Sequence, residues 1–161
     1  MTRPDSKYSD SMTAEEMSEF LQSHGHGVLS LADDAGVYGV PVSFGYTDEK
    51  DVIYLYLHRF AGGSKTLDVL ERTDRASLVA YEVTSRDDWR SVSVTGKLEN
   101  LGKPGEMTSM SEVADPRYIH HVMQDNAWFP DFSEASDEVI ESRVFLFLVD
   151  EMSGRQGKAV T

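Results

Sequence analysis

Apolar and polar positions alternate with a period of two along most of this chain, and helical spacing appears in a few short stretches. Thr13-Ala14-Glu15-Glu16 fits a capping box, after which Met17, Phe20 and Leu21 fall on one helical face. A helix is therefore predicted from Thr13, stopping near Ser23 to Gly25. Gly27 to Ala32 predicts a short strand, Asp33 to Gly36 a hairpin turn, and Val37 to Tyr46 the returning strand. Pro41 lies inside that strand; proline cannot donate to a ladder, so it marks an edge, a bulge or an opening. Thr47 to Asp51 is a second turn. Val52 to His58 follows as a strand, with Ile53, Leu55 and Leu57 alternating against Tyr54 and Tyr56.

A helix over Ser64 to Arg72 turns Leu67 and Leu70 inward, with Val69 nearby. Arg75 to Val83 and Trp89 to Leu101 predict two more strands joined by Thr84 to Asp88, and Arg143 to Val149 a last one. Residues up to about Ser11 read as a loose polar arm, and the tail after Met152 as small and polar. Pro104 to Gln124 has helical composition, interrupted at Asp115-Pro116, and Ser136 to Ser142 predicts a short helix. Between them Trp128-Phe129-Pro130-Asp131-Phe132 is an apolar loop that needs covering, by a pocket or a second subunit. Six strands in hairpin connectivity with a few helices predict an α+β chain, an antiparallel barrel with flanking helices. The strands are not separated one by one by crossover helices, which disfavours a doubly wound parallel sheet. At 161 residues the chain is expected to be a single domain with a real core.

Charge narrows the partners. The 28 acidic residues outnumber the 15 basic ones, for a net charge of -13. Such a surface repels nucleic acid and anionic lipid, because phosphate neutralisation needs a basic stripe. An anionic ligand must then be met by a local positive pocket. The carboxylates are dispersed and arginine outnumbers lysine nine to six, a pattern expected of adaptation to high salt or of an ordinary acidic cytoplasmic protein. No cysteine is present, which excludes disulfides, a thiolate nucleophile and zinc–sulfur ligation. No stretch reaches the ~18 consecutive apolar residues of a membrane helix, and the polar start lacks the apolar core of a signal peptide. A soluble, cytoplasmic protein is expected.

Candidate chemistry gathers between Tyr38 and Leu70. There a strand, a loop and a helix opening on Gly62-Gly63-Ser64-Lys65 follow one another. Free backbone N–H groups, a hydroxyl and an ammonium at a helix start suit a phosphate. On its own, Ser64-Lys65 is more simply an N-cap and a solvated lysine, and the Walker spacing is missing. His58 ends the strand before this loop, with a proton affinity open to tuning near neutral pH. His24 and His26 lack an acidic partner at metal spacing, and His120-His121 point apart on a helix, so no metal site is expected. In Trp89 to Val94 the alternation puts Arg90 and Ser91 on opposite faces.

Three stretches, Gly39-Val40-Pro41-Val42-Ser43-Phe44, Ile53-Tyr54-Leu55-Tyr56-Leu57-His58 and Gly63-Ser64-Lys65-Thr66-Leu67, resemble the pyridoxamine 5′-phosphate oxidase-like FMN-binding split barrels. The branch they look most like is the nitroimidazole-resistance (Nim-type) proteins. The resemblance covers Met12 to Leu101 well and Val144 to Gly154 more weakly. It implies a six-stranded antiparallel split β-barrel and a homodimer with two FMN molecules at the subunit interface. Pro41, Val42 and Ser43 are then expected along the flavin ring, Gly63, Ser64 and Lys65 at the phosphate, and His58 near the reactive face as the candidate catalytic residue. Ser91 falls where the oxidase proper has a flavin-contacting glutamine. That enzyme's basic flavin strand and its C-terminal substrate elements are absent, so pyridoxamine phosphate oxidation itself is not expected. The resemblance implies a flavin-dependent oxidoreductase acting on a small molecule; the alternative is a non-enzymatic module holding flavin, deazaflavin or heme.

Overall fold

A computed structural model describes residues 6–47, 52–60, 63–102 and 139–159. The stretches expected at Pro104 to Gln124 and at Trp128 to Phe132 lie outside these residues, as do Gly62 and His120-His121. The short helix expected at Ser136 to Ser142 is corrected where it is described: from Val139 the chain is strand, paired with the end of the His58-bearing strand.

The chain begins with a short strand β1 (Ser9–Ser11) and the helix α1 (Ala14–His24). The capping box is present: Thr13 Oγ1 accepts the Glu16 N–H at 3.1 Å, and the Glu16 carboxylate accepts the Thr13 N–H at 3.0 Å. The Thr13 N–H, then the Gln156 side-chain amide and the Thr13 hydroxyl, hold the Glu16 carboxyl below the ordinary carboxylate range. Gly25 ends the helix at φ 77, a left-handed conformation that glycine adopts without steric cost. Phe20 and Leu21 are buried, as the spacing requires.

Strands β2 (His26–Asp33), β3 (Gly36–Thr47), β4 (Val52–Phe60), β5 (Arg75–Val83), β6 (Trp89–Gly102) and β7 (Val139–Gly157) follow, with helix α2 (Lys65–Leu70) between β4 and β5. All pairings are antiparallel, and the sheet runs β1-β7-β4-β3-β2-β5-β6. A further pairing of β7 with β6 closes β2 to β7 into a six-stranded ring, with β1 attached outside it. The α+β split barrel is thus the fold.

Two expectations are corrected at the ends of the chain. Part of the supposed arm is β1, held because Ser9, Asp10 and Ser11 pair with Gly157, Gln156 and Arg155. The supposed tail continues β7 as far as Gly157. Polar composition concealed both, since the register is fixed by side-chain bonds: Arg155 donates to Ser11 Oγ at 2.9 Å and Ser9 Oγ at 2.7 Å, and Lys158 pairs with Asp10 at 2.8 Å.

The barrel interior is filled by Leu29, Leu31, Phe44, Ile53, Leu55, Leu78, Val92, Val94, Phe145 and Phe147, with Phe20 and Leu21 of α1 packed against them. Strand β4 departs from simple alternation. Tyr54 and its partner Leu146 are also fully buried, so β4 and β7 are apolar on both faces where they pair. At Gly96 any β-carbon would collide with the Leu148 carbonyl, which explains a glycine at the point where the β6–β7 register shifts.

Strands β3 and β4 pair only from Phe44–Leu55 to Thr47–Val52 and separate beyond Phe44. Over the same stretch β3 stays paired with β2, through His26–Ser43 and Val28–Pro41. This divergence is the split in the barrel, and it positions the site.

Candidate functional site

A cavity of about 270 Å³ opens where β3 leaves β4, against the first turn of α2. Pro41 and Val42 form one wall, Tyr56 and Leu57 another, and Gly63, Ser64 and Lys65 the end, with Tyr38, Val40 and Thr66 between them.

Proline at position 41 follows from ladder geometry. Phe44 donates its N–H to the Gly25 carbonyl at 2.9 Å, so hydrogen-bonded rungs to β2 fall at positions 44, 42 and 40. The backbone of Pro41 and of Ser43 therefore faces away from β2, into the split. A proline there forfeits no rung, because the ladder to β4 has already ended. By the same alternation the Val42 N–H is engaged with β2, while the Ser43 N–H is directed at the opening.

The end of the cavity is set by local turn chemistry. Gly63 has φ 98, a left-handed value that strains any residue with a side chain. Ser64 is extended and caps α2: its Oγ accepts the Leu67 N–H at 3.2 Å. Lys65, exposed, holds its Nζ 4.9 Å from the centre of the Tyr38 ring. Thr66 is buried and donates its hydroxyl to Tyr38 Oη at 3.3 Å. Lys65 is the one cationic side chain among the described residues of this lining, in a chain of net charge -13.

Of the residues singled out in the sequence, Pro41, Val42, Gly63, Ser64 and Lys65 meet around this cavity. Ser43 does not line it. Its side chain is buried on the opposite strand face, across from His26, and its Oγ has no hydrogen-bond partner. Ser91 also lies elsewhere, on β6 between Tyr81 and Arg155, roughly 14 Å from β3 across three strand spacings. The backbone of His58 pairs with Ser142 at the end of β4 beside Leu57, and its side chain lies outside the described residues. Sequence reasoning missed Tyr38, Val40, Tyr56, Leu57 and Thr66. Period-two alternation was the available signal for Tyr38, since it shares a strand face with Val40 and Val42.

A second cluster of titratable groups lies away from the cavity. His24 stacks between Phe20, at 4.7 Å, and His26, at 4.3 Å. Burial, and then the neighbouring His26, lower its proton affinity below the ordinary imidazole value. Among the described residues no group of three or more histidine or acidic side chains is arranged to hold a metal ion.

The sequence profile of the pyridoxamine 5′-phosphate oxidase family matches residues 13–156, which takes in α1 and all six strands of the ring. The chain belongs to this family. No curated protein matches the sequence. Among solved structures, an FAD-binding protein from Mesorhizobium loti superposes with a TM-score of 0.66 at 21% identity, covering 91% of this chain and 96% of that one. A protein assigned to 5-nitroimidazole antibiotic resistance in Bacteroides thetaiotaomicron gives 0.59 at 18% identity, covering 91% and 86%. The heme storage protein HutZ from Vibrio cholerae gives 0.57 at 12% identity, covering 92% and 98%. At these identities the likeness is one of fold. Family and fold agree on a split barrel of the pyridoxamine 5′-phosphate oxidase type, and no helix among the described residues is long and apolar enough to cross a membrane.

Proposed function

We propose that this protein binds FMN at the β3–β4 split and works as a flavin-dependent oxidoreductase on a small molecule, as a homodimer in the cytoplasm. The observation that carries the proposal is the convergence of Lys65, Ser64 and Gly63 on one cavity with the proline-bearing wall of β3. The donor set suits a phosphate monoester: an ammonium, a hydroxyl that keeps its proton to donate, and a backbone turn that only glycine adopts without strain. Val40, Pro41, Val42 and Leu57 offer an apolar surface to a flat ring. The Ser43 N–H, directed into the split, is a donor for the ring's polar edge. His58 is assigned the role of orienting an anionic or nitro-bearing substrate. The flavin supplies the electron-transfer chemistry when bound, and this chain supplies grip, orientation and exclusion of water.

Cavity size argues for the dimer. Ligand sites of ~300–1,000 Å³ bury most of their ligand, and this one, at about 270 Å³, is too small to enclose a whole flavin nucleotide. The remainder must lie against another surface. Tyr81 and Ser91 are paired neighbours on β5 and β6, with Tyr81 exposed, and a second copy is the partner assigned to this face. In that arrangement Ser91 reaches the flavin from the other subunit, which reconciles its distance from Lys65 with an expected cofactor role.

An FAD-binding protein and a heme storage protein among the structural relatives define the rival reading of a module that holds a flat cofactor without turnover. Purified protein decides between them. An oxidised-flavin absorption band, a co-purifying mass equal to FMN, and reduction by NADH or NADPH followed by rapid reoxidation support the oxidoreductase. Bound cofactor that no nicotinamide reduces supports the module, and protein that stays colourless with added FMN overturns the flavin reading.

A further inference from the structure

We propose that Tyr38 is a positioning residue for Lys65, holding the ammonium over its ring at the cavity end so that an arriving phosphate monoester meets a cation already in place. This rests on the flavin-nucleotide reading above.

An exposed lysine normally samples many rotamers, and ordering it when a ligand arrives weakens binding. Here the ordering is built into the fold. Tyr38 is half-buried on β3, and its hydroxyl is tied to buried Thr66, the residue after Lys65 on α2. That bond fixes the ring relative to the first turn of the helix, and the ring in turn faces Lys65 Nζ at 4.9 Å, within cation–π range.

A ring holds the cation without cancelling it. Two other lysines of this acidic surface are paired with carboxylates, Lys97 with Asp74 at 3.4 Å and Lys158 with Asp10 at 2.8 Å, while Lys7 lies over the ring of its chain neighbour Tyr8. Lys65 has no such partner among the described residues. Its charge stays available to an anion, and its remaining N–H donors are unspent. In a chain of net charge -13, aromatic positioning keeps a lysine both ordered and electrostatically open.

The test compares FMN with riboflavin, which lacks only the phosphate, by fluorescence titration of the full-length apoprotein. Wild type prefers FMN, and Lys65→Ala removes most of that preference. Tyr38→Leu lowers the preference about two- to fivefold, the exposed-site strength of a cation–π contact. Tyr38→Phe keeps the ring but loses the bond to Thr66, so its preference falls between those of wild type and Tyr38→Leu. Equal loss of FMN and riboflavin affinity in Tyr38→Leu means a plain structural wall and overturns the proposal. A flavin-free arm uses NMR of the Lys65 ε-methylene, which a ring overhead shifts upfield in wild type and Tyr38→Phe but not in Tyr38→Leu. A wild-type signal at the free-lysine position overturns the proposal. Should wild type bind neither flavin, the flavin reading fails by itself. Titration with inorganic phosphate then decides: weaker binding in Tyr38→Leu supports the positioning role, and unchanged binding overturns it.

Discussion

Ser64 Oγ accepts the Leu67 N–H at 3.2 Å, so capping α2 occupies a lone pair and leaves the hydroxyl proton to donate elsewhere. Aspartate caps helices about as well as serine but has no proton to give at neutral pH. Under the FMN reading, Ser64→Asp keeps the melting temperature near wild type and weakens FMN roughly tenfold or more, because repulsion replaces a donated hydrogen bond. Riboflavin affinity changes little. Equal weakening of both ligands would remove Ser64 from the phosphate site.

Under the same FMN reading, Lys65→Ala removes a charge-assisted contact worth about 1.5–3 kcal/mol, so the FMN dissociation constant rises about 10- to 150-fold. Stability is nearly untouched, since the side chain is exposed and forms no ion pair among the described residues. Isothermal titration checks it. A dissociation constant that stays put sinks the assignment of Lys65.

How much of this was legible beforehand follows from where the information sits. The capping box, the hairpin at Asp33 to Gly36 and strand β5 are local in origin, and the structure matches them closely. The two chain ends were misread because their pairing is non-local: nothing near Ser9 announces that Arg155 will bind it. Pro41 was singled out as the mark of an edge, a bulge or an opening, and it lies at an opening within a continuous strand. Which side of the strand opens depends on the register with β2, and a single sequence does not encode that register visibly. Tyr38 went unnoticed for a similar reason, as its partner Thr66 is 28 residues away.

His24 makes stability depend on pH. Burial is the main cause of its lowered proton affinity, followed by His26; Arg90 acts in the same direction, while Glu82 and the Tyr81 carbonyl oppose it. The unfolded chain takes up a proton near the ordinary value of 6.5, and the folded one only at lower pH. Acidification through that window therefore favours unfolding, and the stability present at neutral pH is lost as pH falls. The melting temperature should drop between about pH 7.5 and about pH 5.5, less so in His24→Phe, which keeps a ring against Phe20. Identical pH slopes in both proteins would clear His24 of the effect.

Salt tests the halophilic reading. At ~1 M the screening length shrinks to about 3 Å, well inside the spacing of most surface carboxylates. A chain carrying net -13 should then gain melting temperature steadily from low salt to molar KCl. A flat response, with sucrose as a non-ionic control, would mark an ordinary acidic protein instead.

Strand β7 pairs with β1, β4 and β6, so three partners made earlier in the chain all await one late segment. During synthesis, β4 and β6 leave the ribosome with one flank each unsatisfied, and neither edge is sealed before residue 139 emerges. Contacts spanning such sequence separations are slow to form. The nascent protein therefore spends its early life as an open, sticky sheet, and chaperone dependence should trace to this one strand more than to any weakness in the finished barrel.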